Sequence, residues 1–280
     1  MKTGIVDAGG GLRGIYGAGI YDRCLADGVA FDACFGVSAG AGNIACFLAG
    51  QQGRDVAFYA DYPFRRQYMS LWNLLTKHAY LDLDYLYKTL SRAGGENPLD
   101  YAAIRANPAE MTVVATNALD GSARYFTKDD LAQDCYDVLC ASSSVPVACR
   151  PYPVAGIPYY DGMLSDPVPV EKALEAGCGR IVLVLTRPKT ELADDQTDRV
   201  GARRVRRRYP AAAQAMRARA ARYNAGVTRS LELERQGTVL ILSPEGFPPM
   251  RPLQKDRAAL LSLYRRGWED AAAIADFLAK

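Results

Sequence analysis

Two consecutive segments near the start of the chain have the pattern of an apolar strand, a glycine turn and a helix. In the first, residues 3–8 form a short apolar run that ends at three glycines, and residues 12–26 are compatible with a helix. In the second, residues 31–37 form an apolar run and residues 39–48 are rich in small residues. Strands that alternate with helices build parallel sheets through crossover connections. The pattern therefore predicts an α/β fold with a mainly parallel central sheet between two layers of helices.

Later segments extend this architecture. Residues 111–118 and 123–126 are separated by an Asp-Gly turn and predict a β-hairpin. Residues 180–186 and 239–242 are continuous apolar runs, which are typical of strands buried on both faces of a parallel sheet. Residues 54–93 look helical, with an interruption at Pro63, and are rich in aromatic residues, which we expect to pack in the core.

The second glycine turn has the sequence Gly36-Val37-Ser38-Ala39-Gly40, which fits the pattern G-x-S-x-G. In a nucleophile elbow, the serine occupies a strained strand-to-helix turn, and the flanking glycines avoid a steric collision. The turn exposes the serine Oγ, and the following helix places the N–H of Ala39 where an oxyanion would develop. Ser38 is therefore predicted to be a nucleophile, and Gly36 and Gly40 are predicted to shape its turn.

The first turn is a glycine loop with the pattern G-x-G-x-x-G, which also occurs in dinucleotide-binding proteins. The next strand, however, ends at the serine turn, where a dinucleotide-binding domain would carry a ribose-binding acid. In the other interpretation, the N–H groups of Gly10 and Gly11 form an oxyanion hole because no side chains obstruct them. Arg13 would then stabilise the loop or attract a phosphate or carboxylate of the substrate.

The chain contains one histidine, His78, and its position does not suit a Ser-acid-His triad. In α/β-hydrolases the histidine follows the acid in the sequence, whereas every acid that would suit the site comes after His78. We therefore expect His78 at the surface and a carboxylate as the base. Asp161 is the best candidate because it follows an extended segment and precedes a glycine that permits a sharp turn. An ordinary Asp-Gly turn is the alternative interpretation.

Together these motifs resemble patatin-like phospholipases. The resemblance rests on the Gly-Gly-Gly-x-Arg-Gly loop, the G-x-S-x-G elbow, the Asp-Gly pair and the Ala-Ser-Ser-Ser-Val-Pro segment at residues 141–146, and it covers residues 3–190. It implies a three-layer α/β/α fold with a patatin-like Ser-Asp dyad of Ser38 and Asp161. It also implies an oxyanion hole built by Gly9, Gly10, Gly11 and Arg13.

The resemblance implies a serine hydrolase that acts on carboxylic esters, of the phospholipase A or esterase type. Asp161 would accept the Ser38 proton as Oγ attacks the ester carbonyl, and water activated by Asp161 would hydrolyse the acyl-enzyme. An acyltransferase or thioesterase with the same dyad, and a non-catalytic lipid-binding protein, remain alternatives. We expect no metal and no organic cofactor, because the sequence contains neither a calcium loop nor clustered His and Cys ligands.

The composition shifts near residue 190, where a charged loop leads into an arginine-rich stretch. We expect residues 1–190 to form the patatin-like catalytic domain. Residues 191–280 should form a mostly helical C-terminal region with one further strand, docked on the same domain. The stretch Arg199–Arg222 contains nine arginines and could contact an anionic membrane peripherally, although a solvated helix face explains it equally well.

Charge and cysteine content bear on partners and location. A net charge of +3 gives no case for nucleic acid as a partner. The seven cysteines form no C-x-x-C pair, which favours reduced, buried thiols. No signal-peptide pattern and no apolar run of about 18 residues is present. We therefore expect a cytoplasmic protein, with peripheral contact at the membrane as an option.

Overall fold

In the computed structural model, which describes residues 1–279, the apolar runs form the strands of one sheet. The strands are β1 (Lys2–Asp7), β2 (Ala33–Val37), β3 (Glu110–Asn117), β4 (Ala123–Thr127), β5 (Tyr152–Val154), β6 (Ile157–Asp161), β7 (Cys178–Val184) and β8 (Val239–Leu242). Their order in space is β5-β6-β3-β2-β1-β7-β8, and β4 pairs with β3.

The sheet is mainly parallel, as predicted. β1 is parallel to β2 and β7, β2 is parallel to β3, and β7 is parallel to β8. β4 and β6 are antiparallel to β3, and β5 is antiparallel to β6. The pairs β3–β4 and β5–β6 are antiparallel because tight turns at Gly121 and Gly156 return the chain directly.

Helices cover both faces of the sheet. They are α1 (Ile15–Ala26), α2 (Ala39–Leu48), α3 (Arg54–Ala60), α4 (Leu71–Lys77), α5 (Tyr101–Ala106), α6 (Asp137–Ser142), α7 (Val170–Glu175), α8 (Gln196–Val205), α9 (Pro210–Arg235), α10 (Arg257–Asp270) and α11 (Ala273–Ala279). The neighbours Ile5 and Val6 of β1 are both buried but belong to different clusters, because alternate side chains of a strand point to opposite faces. Residues of α1, α2 and α10 pack in the first cluster, and residues of α7 and α9 pack in the second.

The helical stretch predicted over residues 54–93 is interrupted at Pro63, as expected, but it is also broken in further places. The structure has α3, a 3-10 turn (Tyr62–Phe64), α4 and a π-helix (Tyr85–Leu90), separated by irregular chain. Pro63 lies in the 3-10 turn, where its missing N–H interrupts helical hydrogen bonding. Most aromatic residues of the stretch are buried as expected, but Phe64 and Trp72 are exposed.

The C-terminal part packs directly against the first half of the chain. β8 extends the sheet beside β7, and α10 crosses α1 in close contact. A Cβ on Gly19 would lie 2.1 Å from the Tyr264 carbonyl oxygen, and one on Gly267 would lie 2.0 Å from that of Tyr16. The two backbones approach this closely only because both positions are glycine. None of the helices within residues 1–279 is long and apolar enough to span a membrane.

Candidate active site

Ser38 lies on a strained turn between β2 and α2. Its φ is 57° and its ψ is −128°, a backbone conformation that residues other than glycine rarely adopt. A Cβ on Gly36 would lie 2.5 Å from the Cα of Ala41, and a Cβ on Gly40 would lie 2.5 Å from the Asp7 carbonyl oxygen. Both glycines are therefore required sterically, and the turn has the geometry of a nucleophile elbow.

The end of α6 and the residues after it link Ser38 to Asp161. The Ser142 hydroxyl accepts a hydrogen bond from the Ser38 N–H at 2.8 Å and donates one to the Val114 carbonyl at 2.6 Å. The Ser144 carbonyl accepts the N–H of Asp161 at 3.0 Å. One short segment therefore fixes the backbone of the serine turn and the end of β6.

Asp161 ends β6 and is completely buried. Its Oδ1 accepts the Met163 N–H at 2.9 Å, while Oδ2 has no hydrogen-bond partner among residues 1–279. Burial raises the pKa of this carboxyl to about 7, and the nearby Ser38 hydroxyl and the Met163 N–H oppose the rise. Ser38 thus lies beside Asp161 without a formed hydrogen bond, a geometry that can tighten when a substrate binds.

The sharp turn after Asp161 depends on Gly162. A Cβ at this position would lie 2.3 Å from the Val114 carbonyl oxygen of β3. The close approach of the two backbones explains why glycine follows the carboxylate here. The Asp161 carbonyl also accepts the Thr116 hydroxyl at 2.8 Å, which holds the strand end in place.

The glycine loop lies beside the serine turn, and its N–H groups differ in whether they form hydrogen bonds. The N–H of Gly9 donates to Asp7 Oδ1 at 2.9 Å, whereas those of Gly10 and Gly11 make no hydrogen bond within the described chain. A Cβ on Gly9 would lie 3.2 Å from the Ser38 Cβ, so the loop and the nucleophile are adjacent. Gly10 and Gly11 therefore carry the amides available to an oxyanion, and Gly9 shapes the loop.

Arg13 supports the glycine loop. Its Nε donates to the Gly10 carbonyl and its Nη1 to the Met250 carbonyl, each at 3.4 Å. Burial lowers the pKa of Arg13 to about 10, so the guanidinium remains charged at neutral pH. Thr186 holds the same loop, because its hydroxyl donates to the Gly9 carbonyl at 2.7 Å.

Asp7, at the end of β1, supports the loop from below and was not singled out from the sequence. Its Oδ1 accepts the Gly9 N–H, and its Oδ2 accepts Nδ2 of Asn43 at 3.0 Å. Asn43 Oδ1 in turn accepts the Tyr59 hydroxyl at 2.7 Å. Burial raises the pKa of Asp7 to about 6. A carboxylate at the end of an apolar strand, directly before a glycine loop, is the sequence signal that identifies such a residue.

A narrow apolar pocket of about 80 Å³ begins at Ser38 and follows α2. Its other walls are mostly aromatic and aliphatic side chains: Leu12, Phe58, Tyr59, Tyr68, Met69, Leu81, Leu83, Leu86, Tyr87, Leu99 and Leu139. Ala39, Gly42, Ala45 and Cys46 lie along one side of it, at helical spacing. Ala39 and Cys46 are separated by about 10 Å along the axis, at about 1.5 Å per residue.

The far end of this pocket is polar. Cys46 Sγ donates to Asp55 Oδ1 at 2.8 Å and accepts Arg54 Nη1 at 2.9 Å. Arg54 is further held by the Ser91 hydroxyl and the Asn97 carbonyl, each at 2.9 Å. Because these groups are buried and mutually bonded, they form a fixed polar floor beneath an otherwise apolar pocket.

A wider cleft of about 1160 Å³ also reaches Ser38 and the glycine loop. It is lined by more basic than acidic side chains: Arg13, Arg187, Arg204, Arg219, Arg251 and Lys255 against Glu191, Asp194 and Asp198. Arg219 pairs with Asp198 at 2.7 Å. Its positive charge opposes the rise that burial causes in the pKa of Asp161. Ser38 therefore lies where a narrow apolar pocket meets a wide, charged cleft.

The other residues singled out from the sequence lie outside this centre. His78 is exposed at the end of α4. Within Arg199–Arg222, Arg199 pairs with Asp195 and Arg222 donates to backbone carbonyls. The remaining arginines of the stretch, apart from Arg219, are exposed to solvent: Arg203, Arg204, Arg206, Arg207, Arg208 and Arg217.

The fold is that of a layered α/β enzyme with a serine on a strand-to-helix turn. Within this class the chain belongs to the patatin-like phospholipase family, whose model matches residues 5–174. Members of this family are generally lipid acyl hydrolases, so the resemblance found in the sequence is confirmed at the level of the family. Residues 209–279 match a domain of unknown function (DUF6363).

Two known proteins are similar to this chain. It is 30% identical over 192 residues to the uncharacterized protein YjjU of Escherichia coli (strain K12), across 67% of this chain and 52% of YjjU. The chain therefore spans about half the length of that relative. The crystal structure of VipD from Legionella pneumophila matches with a TM-score of 0.51 at 15% identity, covering 98% of this chain and 67% of VipD. At this identity the likeness shows the fold.

Proposed function

We propose that this protein is a lipid acyl hydrolase of the phospholipase A or esterase type, with Ser38 as the nucleophile and Asp161 as its base. The observation that carries the proposal is the hydrogen bonding of the two Asp161 oxygens. Its Oδ2 is buried beside a serine on a strained turn and has no partner among the described residues. Oδ1 is already occupied by the Met163 N–H. Oδ2 is therefore the acceptor available for the Ser38 proton.

The proposed reaction has two steps. Ser38 Oγ attacks the ester carbonyl as Asp161 takes its proton, and the tetrahedral oxyanion is held by the N–H groups of Gly10, Gly11 and Ala39. The proton then passes to the departing alcohol, and an acyl-enzyme remains. Water, deprotonated by Asp161, hydrolyses this ester and restores the Ser38 hydroxyl. A base whose pKa is near 7 is matched to this exchange of protons at neutral pH.

The pocket beside Ser38 suits the acyl group of the substrate. Its walls are apolar, and an acyl chain that follows α2 would meet the polar floor at Cys46 after about 10 Å. An extended chain advances about 1.2 Å per bond, because a three-bond residue spans about 3.5 Å. We therefore propose a preference for acyl chains of about eight carbons.

The division of the chain and its location are also proposals. Residues 1–190 would carry the reaction, and residues 191–280 would complete the sheet and the charged cleft from the same domain. The exposed arginines of the Arg199–Arg222 stretch would favour peripheral contact with anionic lipid from a cytoplasmic location. An acyltransferase or a thioesterase with the same dyad is the alternative. An acyltransferase would pass the acyl group to an alcohol in place of water, and a thioesterase would cleave a thioester.

The test is hydrolysis of a short p-nitrophenyl ester and of a phospholipid by the wild type, Ser38→Ala and Asp161→Asn, with EDTA present. We expect both variants to lose activity while circular dichroism shows that they remain folded. Ser230→Ala is a matched control, because it removes another buried hydroxyl, distant from the site in sequence, that bonds only a helix carbonyl. Full activity in Asp161→Asn would exclude this base, and acyl transfer to an added alcohol in place of hydrolysis would favour the alternative.

A further inference from the structure

Helix α4 has its apolar side facing solvent. Leu71, Trp72, Leu74 and Leu75 are between 42% and 75% exposed, whereas Asn73 is 3% exposed. The Asn73 amide is turned inward, where it donates to the carbonyls of Gln67 and Tyr68. Ordinary surface helices bury their apolar stripe and expose their polar residues. This reversed arrangement leaves a contiguous apolar surface on seven residues of chain.

The exposed helix belongs to the segment that forms one wall of the apolar pocket. Tyr68 and Met69 directly precede it, and Leu81 follows it; all three line the pocket that begins at Ser38. Met69 and Leu81 pair across a β-bridge, so the two ends of the segment are held together. A surface that docks on α4 would therefore lie beside the segment that forms this wall of the pocket.

The charges around α4 favour lipid as the occupant. The helix contains no acidic residue, and Arg66 lies over the Trp72 ring at 4.3 Å with no carboxylate partner in the described chain. Lys77, at the other end, pairs with Asp82 and is half-exposed. Tryptophan flanked by basic side chains suits the boundary between lipid headgroups and acyl chains. A bilayer seated here would also place acyl chains next to a wall of the apolar pocket that begins at Ser38.

Contacts of the chain that follows α4 lead towards the arginine-rich stretch. Tyr80 and Leu81 both donate backbone hydrogen bonds to the Ala148 carbonyl, and the adjacent Val147 is 41% exposed at a φ of 74°. Val147 also approaches Gly201 of α8, which carries the exposed Arg203 and Arg204. Val147, which lines the wide cleft, thus lies between the chain that follows α4 and the basic helix α8.

We propose that α4 is an interfacial anchor that inserts Leu71, Trp72, Leu74 and Leu75 into the surface of a phospholipid bilayer, while Arg66 contacts the phosphates. The exposed arginines of α8 would strengthen the contact on anionic membranes. Binding at this surface is separate from the chemistry at Ser38, so it is measured in the Ser38→Ala protein.

The experiment is co-flotation of Ser38→Ala with vesicles of phosphatidylcholine that contain one-third phosphatidylglycerol. The added substitutions Leu71→Ser and Leu75→Ser should lower the fraction bound at least about tenfold, because two leucines no longer enter the apolar layer. Leu119→Ser is the matched control, since Leu119 is 60% exposed in the β3–β4 turn. It should bind like the parent. Vesicles should also shift the tryptophan emission of the parent to the blue, and Trp72→Phe should remove that shift.

Unchanged flotation of the double serine variant would overturn the proposal, as would a parent that fails to bind these vesicles. A double variant that binds vesicles normally but changes from dimer to monomer in size-exclusion chromatography would identify a second copy of the chain as the occupant, and it would also overturn the proposal. Loss of flotation with full hydrolysis of a soluble ester in the Ser38-containing double variant would support it.

Discussion

Replacement of Asp161 by asparagine is expected to abolish hydrolysis and, at the same time, to stabilise the folded protein. The carboxyl is completely buried, and its pKa rises from the ordinary 3.8 to about 7 because burial disfavours the charged form. A raised carboxyl pKa means that the folded state holds the proton more tightly than the unfolded state. The free energy of unfolding therefore falls as pH rises from about 4 to about 7, and the loss is complete above that range.

The size of the effect follows from the shift. Linkage gives a destabilisation of about 2 kcal/mol at pH 5 and about 4 kcal/mol at pH 8, at about 1.4 kcal/mol per pH unit. Asparagine carries no charge, so it removes this pH-dependent cost. Its Oδ1 can still accept the Met163 N–H, and its amide nitrogen can donate to the Ser38 hydroxyl. The stability gained should therefore be larger at pH 8 than at pH 5.

Urea unfolding of the wild type and Asp161→Asn at the two pH values measures this difference. Asp7→Asn is the matched control, because Asp7 is also buried with a raised pKa but both of its oxygens accept hydrogen bonds. An amide there also removes a buried charge, but it leaves one donor unpaired at a cost of about 1–3 kcal/mol, so we expect Asp7→Asn to gain less stability at pH 8 than Asp161→Asn. A stability gain for Asp161→Asn that is equal at pH 5 and pH 8, or no gain at either, would refute the reasoning.

Three further predictions concern the reaction itself. The kcat/KM for a soluble ester should rise about tenfold from pH 6 to pH 8 as Asp161 ionises; a profile that is flat down to pH 5 would argue against a carboxylate base. Gly10→Ala should lower kcat at least about 100-fold, since its Cβ would lie 2.0 Å from Thr186 Oγ1. Gly28→Ala, which also has a positive φ but open space, should leave kcat unchanged in the same assay. Rates on p-nitrophenyl esters of increasing length should peak near about eight carbons, and an equal rate on palmitate would contradict the fixed polar floor.

Much of the fold could be predicted from local patterns. The unit from β1 to α2 follows from apolar runs, glycine turns and small residues that are adjacent in the sequence. Its strands are continuous apolar runs, because both faces of β1 and β2 are covered. Residues 54–93 were harder, because their buried aromatics serve an irregular segment and not one helix. Periodicity alone cannot show that Trp72 and the leucines of α4 face outward.

Ser38 was recognisable because its turn requires glycine at the flanking positions Gly36 and Gly40, which lie next to it in the sequence. Asp161 was recognisable in part, because Gly162 marks the close approach to β3. Arg13 and the segment 141–146 were recognisable as parts of motifs, but the contacts that support the site were not predictable, because they join distant parts of the chain. Ser142 is 104 residues from Ser38, and the Thr186 hydroxyl reaches Gly9 across 177 residues. Such contacts arise only from the order of strands in the sheet.

Two buried carboxylates with raised pKa values flank the serine turn, and hydrogen bonding separates their roles. Asp7 has a hydrogen bond to each oxygen, from the Gly9 N–H and from the Asn43 amide, so its carboxylate is held to the glycine loop. Asp161 has one oxygen occupied and one free. Burial alone would make either of them a candidate base. We therefore propose proton transfer for Asp161, whose Oδ2 has no partner in the described chain, and loop support for Asp7.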